Sequence, residues 1–70
     1  KTTREKLMAY LTDQAKLKRS NDFTIPFNRQ ELADYLGVER SAMSAELGKL
    51  TKLGILRTQR SHFTLLKPLD

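Results

Sequence analysis

The chain has 70 residues, enough for one small domain and too few for two independent cores. It contains no cysteine, which excludes disulfide bridges, thiolate zinc sites and cysteine nucleophiles and permits a reducing compartment. Its longest apolar run, Leu7–Leu11, is far shorter than the roughly 20 residues of a membrane-spanning helix, so we expect a soluble domain that does not contact a membrane. The net charge of +5 suits a polyanionic partner. Because the positive excess lies at both ends and residues 28–54 are neutral, a central nucleic-acid interface must depend on the placement of individual cations.

A first helix is predicted over about residues 3–18, because Thr2 and Glu5 have the spacing of a capping box. Every second residue of segment 23–27 is apolar, which predicts a strand. Pro26 has no N–H to donate, so this strand is expected to be short and to lie at a sheet edge. The predicted buried residues of the first helix are Leu7, Met8, Leu11 and Ala15.

The second helix is predicted to begin after Asn28, which can cap it together with Glu31. Gly37 can end this helix in a left-handed conformation, and Val38 can pack in the turn that follows. Ala33 suits a close crossing of two helices. The residues expected to be buried on this helix are Leu32, Tyr35 and Leu36.

The third helix is predicted over about 40–53, with one leucine-rich face and one face of small or basic residues. Gly54 ends it, and segments 55–58 and 62–66 are predicted to form a hairpin with its tip at 59–61 and Pro68 at its far end. The expected buried residues are Met43, Leu47, Leu50 and Leu53, and the expected outward residues are Ser41, Ser44, Ala45, Gly48, Lys49 and Lys52.

This order of elements predicts a winged helix-turn-helix, a mainly α fold with a small antiparallel β-sheet, in a single domain over residues 1–70. Its third helix would enter the DNA major groove, which is about 12 Å wide and just admits a helix with small facing side chains. Arg40 can grip guanine in a bidentate contact, and Arg29 can bind phosphate at the positive end of the second helix. The predicted DNA-binding residues are Arg29, Arg40, Ser41, Ser44, Ala45, Lys49, Lys52 and Arg60.

The run IPFNRQELADYLGVERSAMS over residues 25–44, together with Gly54–Leu56 and Phe63–Leu65, resembles the C-terminal DNA-binding domain of the Crp/Fnr transcriptional regulators. The likeness includes the Arg4–Leu7 opening and so covers nearly the whole chain. The residues of the helix-turn-helix match the family pattern more specifically than the residues of the wing do. The resemblance implies sequence-specific binding of double-stranded DNA in transcription regulation.

The resemblance also implies a cytoplasmic bacterial protein that forms a homodimer on a two-fold symmetric operator, with RNA polymerase as a further candidate partner. The effector-sensing domain and the long dimerisation helix of such regulators are not among these 70 residues, so the chain is expected to be a fragment of a longer regulator. No cofactor site is expected in this chain, and the effector of the missing domain is not assigned.

Carried over by position, Arg29 would contact phosphate, and Arg40, Ser41, Ser44 and Ala45 would face bases. The family usually has an arginine that recognises guanine where Ala45 stands. Several members have a glutamate that reads cytosine where Ser41 stands. No known operator sequence is therefore transferred to this chain.

An enzyme and a module that binds protein or RNA are the two other classes of function. An enzyme is not expected, because Ser61 and His62 are adjacent and would point to opposite faces of a strand, and one histidine without cysteine does not make a metal site. The remaining alternative is a winged helix that binds protein or RNA, since fold alone does not fix function. The salt dependence of binding distinguishes these alternatives, because the affinity for duplex DNA falls steeply as the salt concentration rises.

Overall fold

The computed structural model of the chain describes residues 1–67, and Pro68, predicted to close the hairpin, lies outside this range. Three strands, β1 (Asp22–Thr24), β2 (Leu56–Gln59) and β3 (His62–Leu65), form an antiparallel sheet in the order β1-β3-β2, which confirms an edge position for the first strand. This arrangement is the predicted winged helix-turn-helix. The elements are α1 (Thr3–Lys18), β1 (Asp22–Thr24), α2 (Arg29–Leu36), α3 (Arg40–Lys52), β2 (Leu56–Gln59) and β3 (His62–Leu65).

The first two helices begin with the predicted capping boxes. The Thr2 hydroxyl accepts a hydrogen bond from the Glu5 amide at 3.1 Å, and the Glu5 carboxylate accepts one from the Thr2 amide at 2.9 Å. Asn28 and Glu31 exchange the same two hydrogen bonds, both at 2.8 Å. Each box satisfies two amides that a helix N-terminus would otherwise leave unpaired, so both boundaries follow from local sequence.

One apolar core joins all three helices and the sheet. Every helix contributes at least one fully buried leucine or methionine, and β2 and β3 contribute one large side chain each. Burial of this kind stabilises a domain by about 25 cal/mol per Å² of apolar surface. The buried side chains of α3 therefore hold this helix against the rest of the molecule. The largest fully buried side chains are Leu7, Leu11, Leu32, Met43, Leu50, Leu56 and Phe63.

Two residues predicted to be buried are exposed instead. Tyr35 is 64% exposed because the buried side of α2 is centred on Leu32 and Ala33, and Tyr35 lies at the edge of that side, about 110° around the helix from the midpoint of those two residues. Leu53 is 55% exposed because α3 ends at Lys52, one residue earlier than predicted. The chain then reverses, and the Ile55 amide donates to the Leu50 carbonyl at 3.0 Å, so the residues after the turn cover the core in place of Leu53.

The hairpin differs from its predicted form at the tip. Gln59 pairs with His62, so only Arg60 and Ser61 form the turn, and Arg60 has a left-handed φ of 55°. The strands β2 and β3 are correspondingly shifted by one residue at their other ends, to Leu56 and Leu65. We call this β2–β3 hairpin the wing.

Candidate nucleic-acid interface

Helix α3 has one buried and one exposed face. Met43, Leu47 and Leu50 are at most 4% exposed and anchor the helix to the core. The opposite side carries short side chains, and an ideal Cβ placed on Gly48 would meet no atom within 4 Å beyond its adjacent residues and the backbone of its own helix. This side of α3 can therefore approach a nucleic-acid groove closely. We call this exposed set, Ser41, Ser44, Ala45 and Gly48, the small-residue face.

A tight turn sets the angle between α2 and α3. Gly37 adopts a φ of 70°, and the Val38 amide donates to the Ala33 carbonyl at 3.0 Å. A positive φ is strained for residues with a side chain, which explains the glycine. Ala33 is fully buried, as a close helix crossing requires. Arg40 then begins α3 immediately after this turn and is exposed.

Arg29, at the first position of α2, extends across to the wing. Its Nη1 donates to the Arg60 carbonyl at 2.5 Å and its Nη2 donates to the Thr58 hydroxyl at 2.8 Å. The guanidinium also lies over the Phe63 ring, 5.1 Å from the ring centre. Burial, followed by the nearby charge of Arg40, lowers the pKa of Arg29 from its ordinary value. Because the ordinary pKa of an arginine side chain lies far above neutral pH, Arg29 remains a cation at physiological pH.

Three of the predicted cations line one cleft of about 410 Å³ between the start of α2, the start of α3 and the tip of the wing. Arg29, Arg40 and Arg60 come from separate parts of the chain, and the cleft gathers them at one end of α3. Clustered like charges create a positive potential that attracts anions. The other lining residues, which the sequence did not indicate as site residues, are Asn28, Gln30 and Ser61.

Lys49 and Lys52 do not line this cleft. They lie nine and twelve residues after Arg40 on α3, which at 1.5 Å per residue places them about 14 and 18 Å further along the helix axis. Both are exposed. The predicted cations therefore bracket the small-residue face, with arginines at its beginning and lysines at its end.

The carboxylates of the central segment are engaged in local contacts. Glu46 accepts from Arg4 at 3.2 Å, which ties α3 to α1, and Asp34 accepts from Gln30 at 2.9 Å. Glu39 accepts from the Ser41 hydroxyl, and Glu31 is used in the α2 capping box. Each of these four carboxylates is thus held by a neighbour within the domain, and among these contacts only that of Glu46 is with a cation.

Among residues 1–67, no helix combines the length and the apolar character needed to cross a membrane. A three-helix unit with an exposed third helix and an adjacent wing defines the winged helix-turn-helix class of DNA-binding domains. The sequence profile of the Crp-like helix-turn-helix domain matches residues 5–69, so the chain belongs to that family. This family membership supports DNA binding in transcription regulation.

A curated protein from Rhizobium leguminosarum bv. viciae, described as a probable transcriptional activator, is 29% identical over 51 residues. The matched segment covers 73% of this chain and 21% of that protein, so this chain corresponds to about a fifth of its relative. No solved structure matches the chain significantly.

Proposed function

We propose that this domain binds double-stranded DNA sequence-specifically, with α3 in the major groove and the wing beside it. The observation that carries the proposal is the small-residue face, because it is exposed along a helix whose opposite side is fixed in the core. A major groove about 12 Å wide accepts a helix most easily where the facing side chains are short. Ser41, Ser44 and Ala45 would face base edges in this arrangement.

Arg40 is the residue we assign to base recognition. It is exposed at the N-terminal end of α3, where helices of this class contact bases, and its fork fits the O6 and N7 atoms of guanine. The phosphate contacts are assigned to Lys49, Lys52 and Arg60, which lie at the two ends of the small-residue face. Arg29 keeps N–H groups beyond the two used in the wing, so a phosphate in the shared cleft would also meet its charge.

The chain is proposed to be one domain of a longer regulator, which agrees with its match to a fifth of the length of its relative. Two copies in a homodimer would occupy half-sites about 34 Å apart on a symmetric operator. Contact with RNA polymerase belongs to the same proposal. The proposed activity is binding, with no chemical step and no cofactor in this chain.

Selection of duplexes from a random pool, followed by titration of the selected duplex at several salt concentrations, tests the proposal. With about four phosphate contacts per copy, the logarithm of affinity should fall with the logarithm of salt at a slope of about −3 to −4. A pool that yields no preferred sequence would contradict specific binding. A flat salt response, or preference for RNA or a protein over duplex DNA, would favour the alternative use of the fold.

A further inference from the structure

We infer that Arg29 is a positioning residue for the wing: its side chain sets the angle between the hairpin and α2, and thereby places Arg60 beside Arg40. The consequence for DNA rests on the proposed function. The positioning of the wing by Arg29 is a property of the protein without DNA and does not depend on the proposed function.

The hydrogen bonds of Arg29 reach two different parts of the wing. One goes to the backbone carbonyl of Arg60 in the turn, and the other goes to the side chain of Thr58 in β2. The Thr58 hydroxyl in turn donates to the carbonyl of His62 in β3 at 3.0 Å. One guanidinium is therefore linked to the turn and to both strands of the hairpin.

The contact with Phe63 restrains the Arg29 guanidinium in a third direction. Phe63 is fully buried and fixed in the core, and the guanidinium lies over its ring. The planar fork of arginine can stack on a ring and donate two divergent hydrogen bonds at once, whereas the single ammonium of lysine cannot reproduce that geometry. The specific requirement is thus for an arginine and not only for a positive charge.

Other contacts keep the hairpin formed without Arg29. Strand β3 pairs with both β1 and β2, the Ile25 amide donates to the Ser61 carbonyl at 2.9 Å, and the Ser61 hydroxyl donates to the Phe27 carbonyl at 2.6 Å. These contacts hold the wing on the β1 side. Arg29 holds it on the α2 side, so its loss should tilt the wing rather than unfold it.

The test compares Arg29→Lys, Thr58→Val and the control Arg57→Lys in the 70-residue protein. Thr58→Val removes a hydrogen-bond acceptor of Arg29 without changing any charge, and it also removes the hydrogen bond from Thr58 to the His62 carbonyl. Arg57→Lys makes the same arginine-to-lysine change at an exposed residue of β2. The first readout is the backbone amide chemical shifts and hydrogen exchange of residues 60–63 without DNA, because these residues are not sequence neighbours of the substituted positions, and Arg29→Lys is the variant that decides it. We expect both Arg29→Lys and Thr58→Val to alter these amides, and Arg57→Lys to leave them near their original values.

The second readout is affinity for the selected duplex. Arg29→Lys keeps the charge, so a role limited to phosphate binding predicts nearly unchanged affinity, whereas the positioning role predicts a loss of roughly tenfold, equivalent to about 1.4 kcal/mol. In a double-mutant cycle, adding Thr58→Val to Arg29→Lys should cost less than Thr58→Val costs alone.

Unchanged wing amides in both Arg29→Lys and Thr58→Val would overturn the inference, and altered amides with unchanged affinity would overturn its consequence for DNA binding. If the unmodified protein binds no duplex, the proposed function fails while the amide comparison still decides whether Arg29 positions the wing. If circular dichroism shows that Arg29→Lys does not fold, the exchange of the Arg29 guanidinium protons in the unmodified protein supplies the first readout: exchange slower than that of the exposed Arg57 is expected, and equally fast exchange would overturn the inference.

Discussion

Helices α2 and α3 contact each other and the core through fully buried apolar side chains, whereas the wing contacts the start of α2 through the polar fork of Arg29. Apolar burial is strong and not directional, and a tight turn at Gly37 fixes the helix angle. Hydrogen bonds are weaker in net terms but directional. The helices are thus fixed by apolar burial, and the tip of the wing, beyond the buried Leu56 and Phe63, is held by directional polar contacts.

The largest expected effect is on the helix-turn-helix core. Leu32 is fully buried, so Leu32→Ala removes transfer free energy and leaves a cavity, and we expect the free energy of unfolding to fall by about 2–5 kcal/mol. Urea denaturation followed by circular dichroism measures the change. Domains of this size have only about 5–10 kcal/mol of stability in total, so the variant should be partly unfolded in warm solution.

Leu53→Ala is the matched control for that change. It makes the same chemical alteration at a leucine that is 55% exposed, so the free energy of unfolding should change by no more than about 0.5 kcal/mol. Equal losses in Leu32→Ala and Leu53→Ala would contradict the burial pattern of the two residues.

The next largest effect is on recognition rather than stability. Arg40 is exposed, so Arg40→Ala should leave the thermal midpoint nearly unchanged while weakening binding to the selected duplex by about 1–3 kcal/mol. Fluorescence anisotropy with duplexes altered at each position would show relaxed selectivity at one base pair. The exposed Lys16, on α1, provides a control of equal charge in Lys16→Ala. Equal weakening of every duplex by Arg40→Ala would reassign Arg40 to phosphate contact.

Replacing either of two glycines by alanine should have a smaller effect on the free energy of unfolding, and the sign should differ between the two positions. Gly48 is in the interior of α3 with free space around an added Cβ, so Gly48→Ala should raise the free energy of unfolding by about 0.5–1 kcal/mol. Gly37 also has free space, but its φ is 70°, so Gly37→Ala should lower the free energy of unfolding by about 1–2 kcal/mol. Thermal denaturation of both variants measures the pair. The same sign for both would contradict the assigned backbone conformations.

The smallest effect concerns the strand that borders the wing. Hydrogen bonds from His62 and then Thr64 lower the pKa of Asp22 from its ordinary value of 3.8. A carboxylate with a lowered native pKa stabilises the fold above its unfolded pKa, and this contribution is lost as pH falls through the native value. Asp22→Asn should therefore be less stable than the unmodified protein at neutral pH, and the difference should shrink below about pH 4. A difference that stays constant down to about pH 2 would exclude this linkage.

The sequence predicted the features that depend on neighbouring residues. The boxes at Thr2 and Asn28 and the turn at Gly37 are local signals, and the structure confirms all three. The exposure of Tyr35 could not be read from periodicity, because it depends on which other elements cover the edge of the apolar stripe. Tyr35 instead stacks on Phe27, with ring centres 5.0 Å apart, in a partly exposed aromatic cluster.

The link between Arg29 and the wing had no signal in the sequence at all. Its partners Thr58 and Arg60 are 29 and 31 residues away, and only the tertiary fold brings them to the start of α2. Arg29 was predicted from its place in the first turn of a helix, where an arginine can meet phosphate, and that contact stays a prediction. The use of its guanidinium within the domain became visible only in the structure.

The most direct test of the account is a titration of the isotope-labelled domain with the selected duplex, followed by backbone amide chemical shifts. The largest changes are expected at the start of α3 and a second group at the tip of the wing; the α3 residues are Arg40, Ser41, Ser44 and Ala45. Changes concentrated at the aromatic cluster of Tyr35 and Phe27, with the start of α3 unaffected, would contradict the assignment of α3 as the helix that reads DNA.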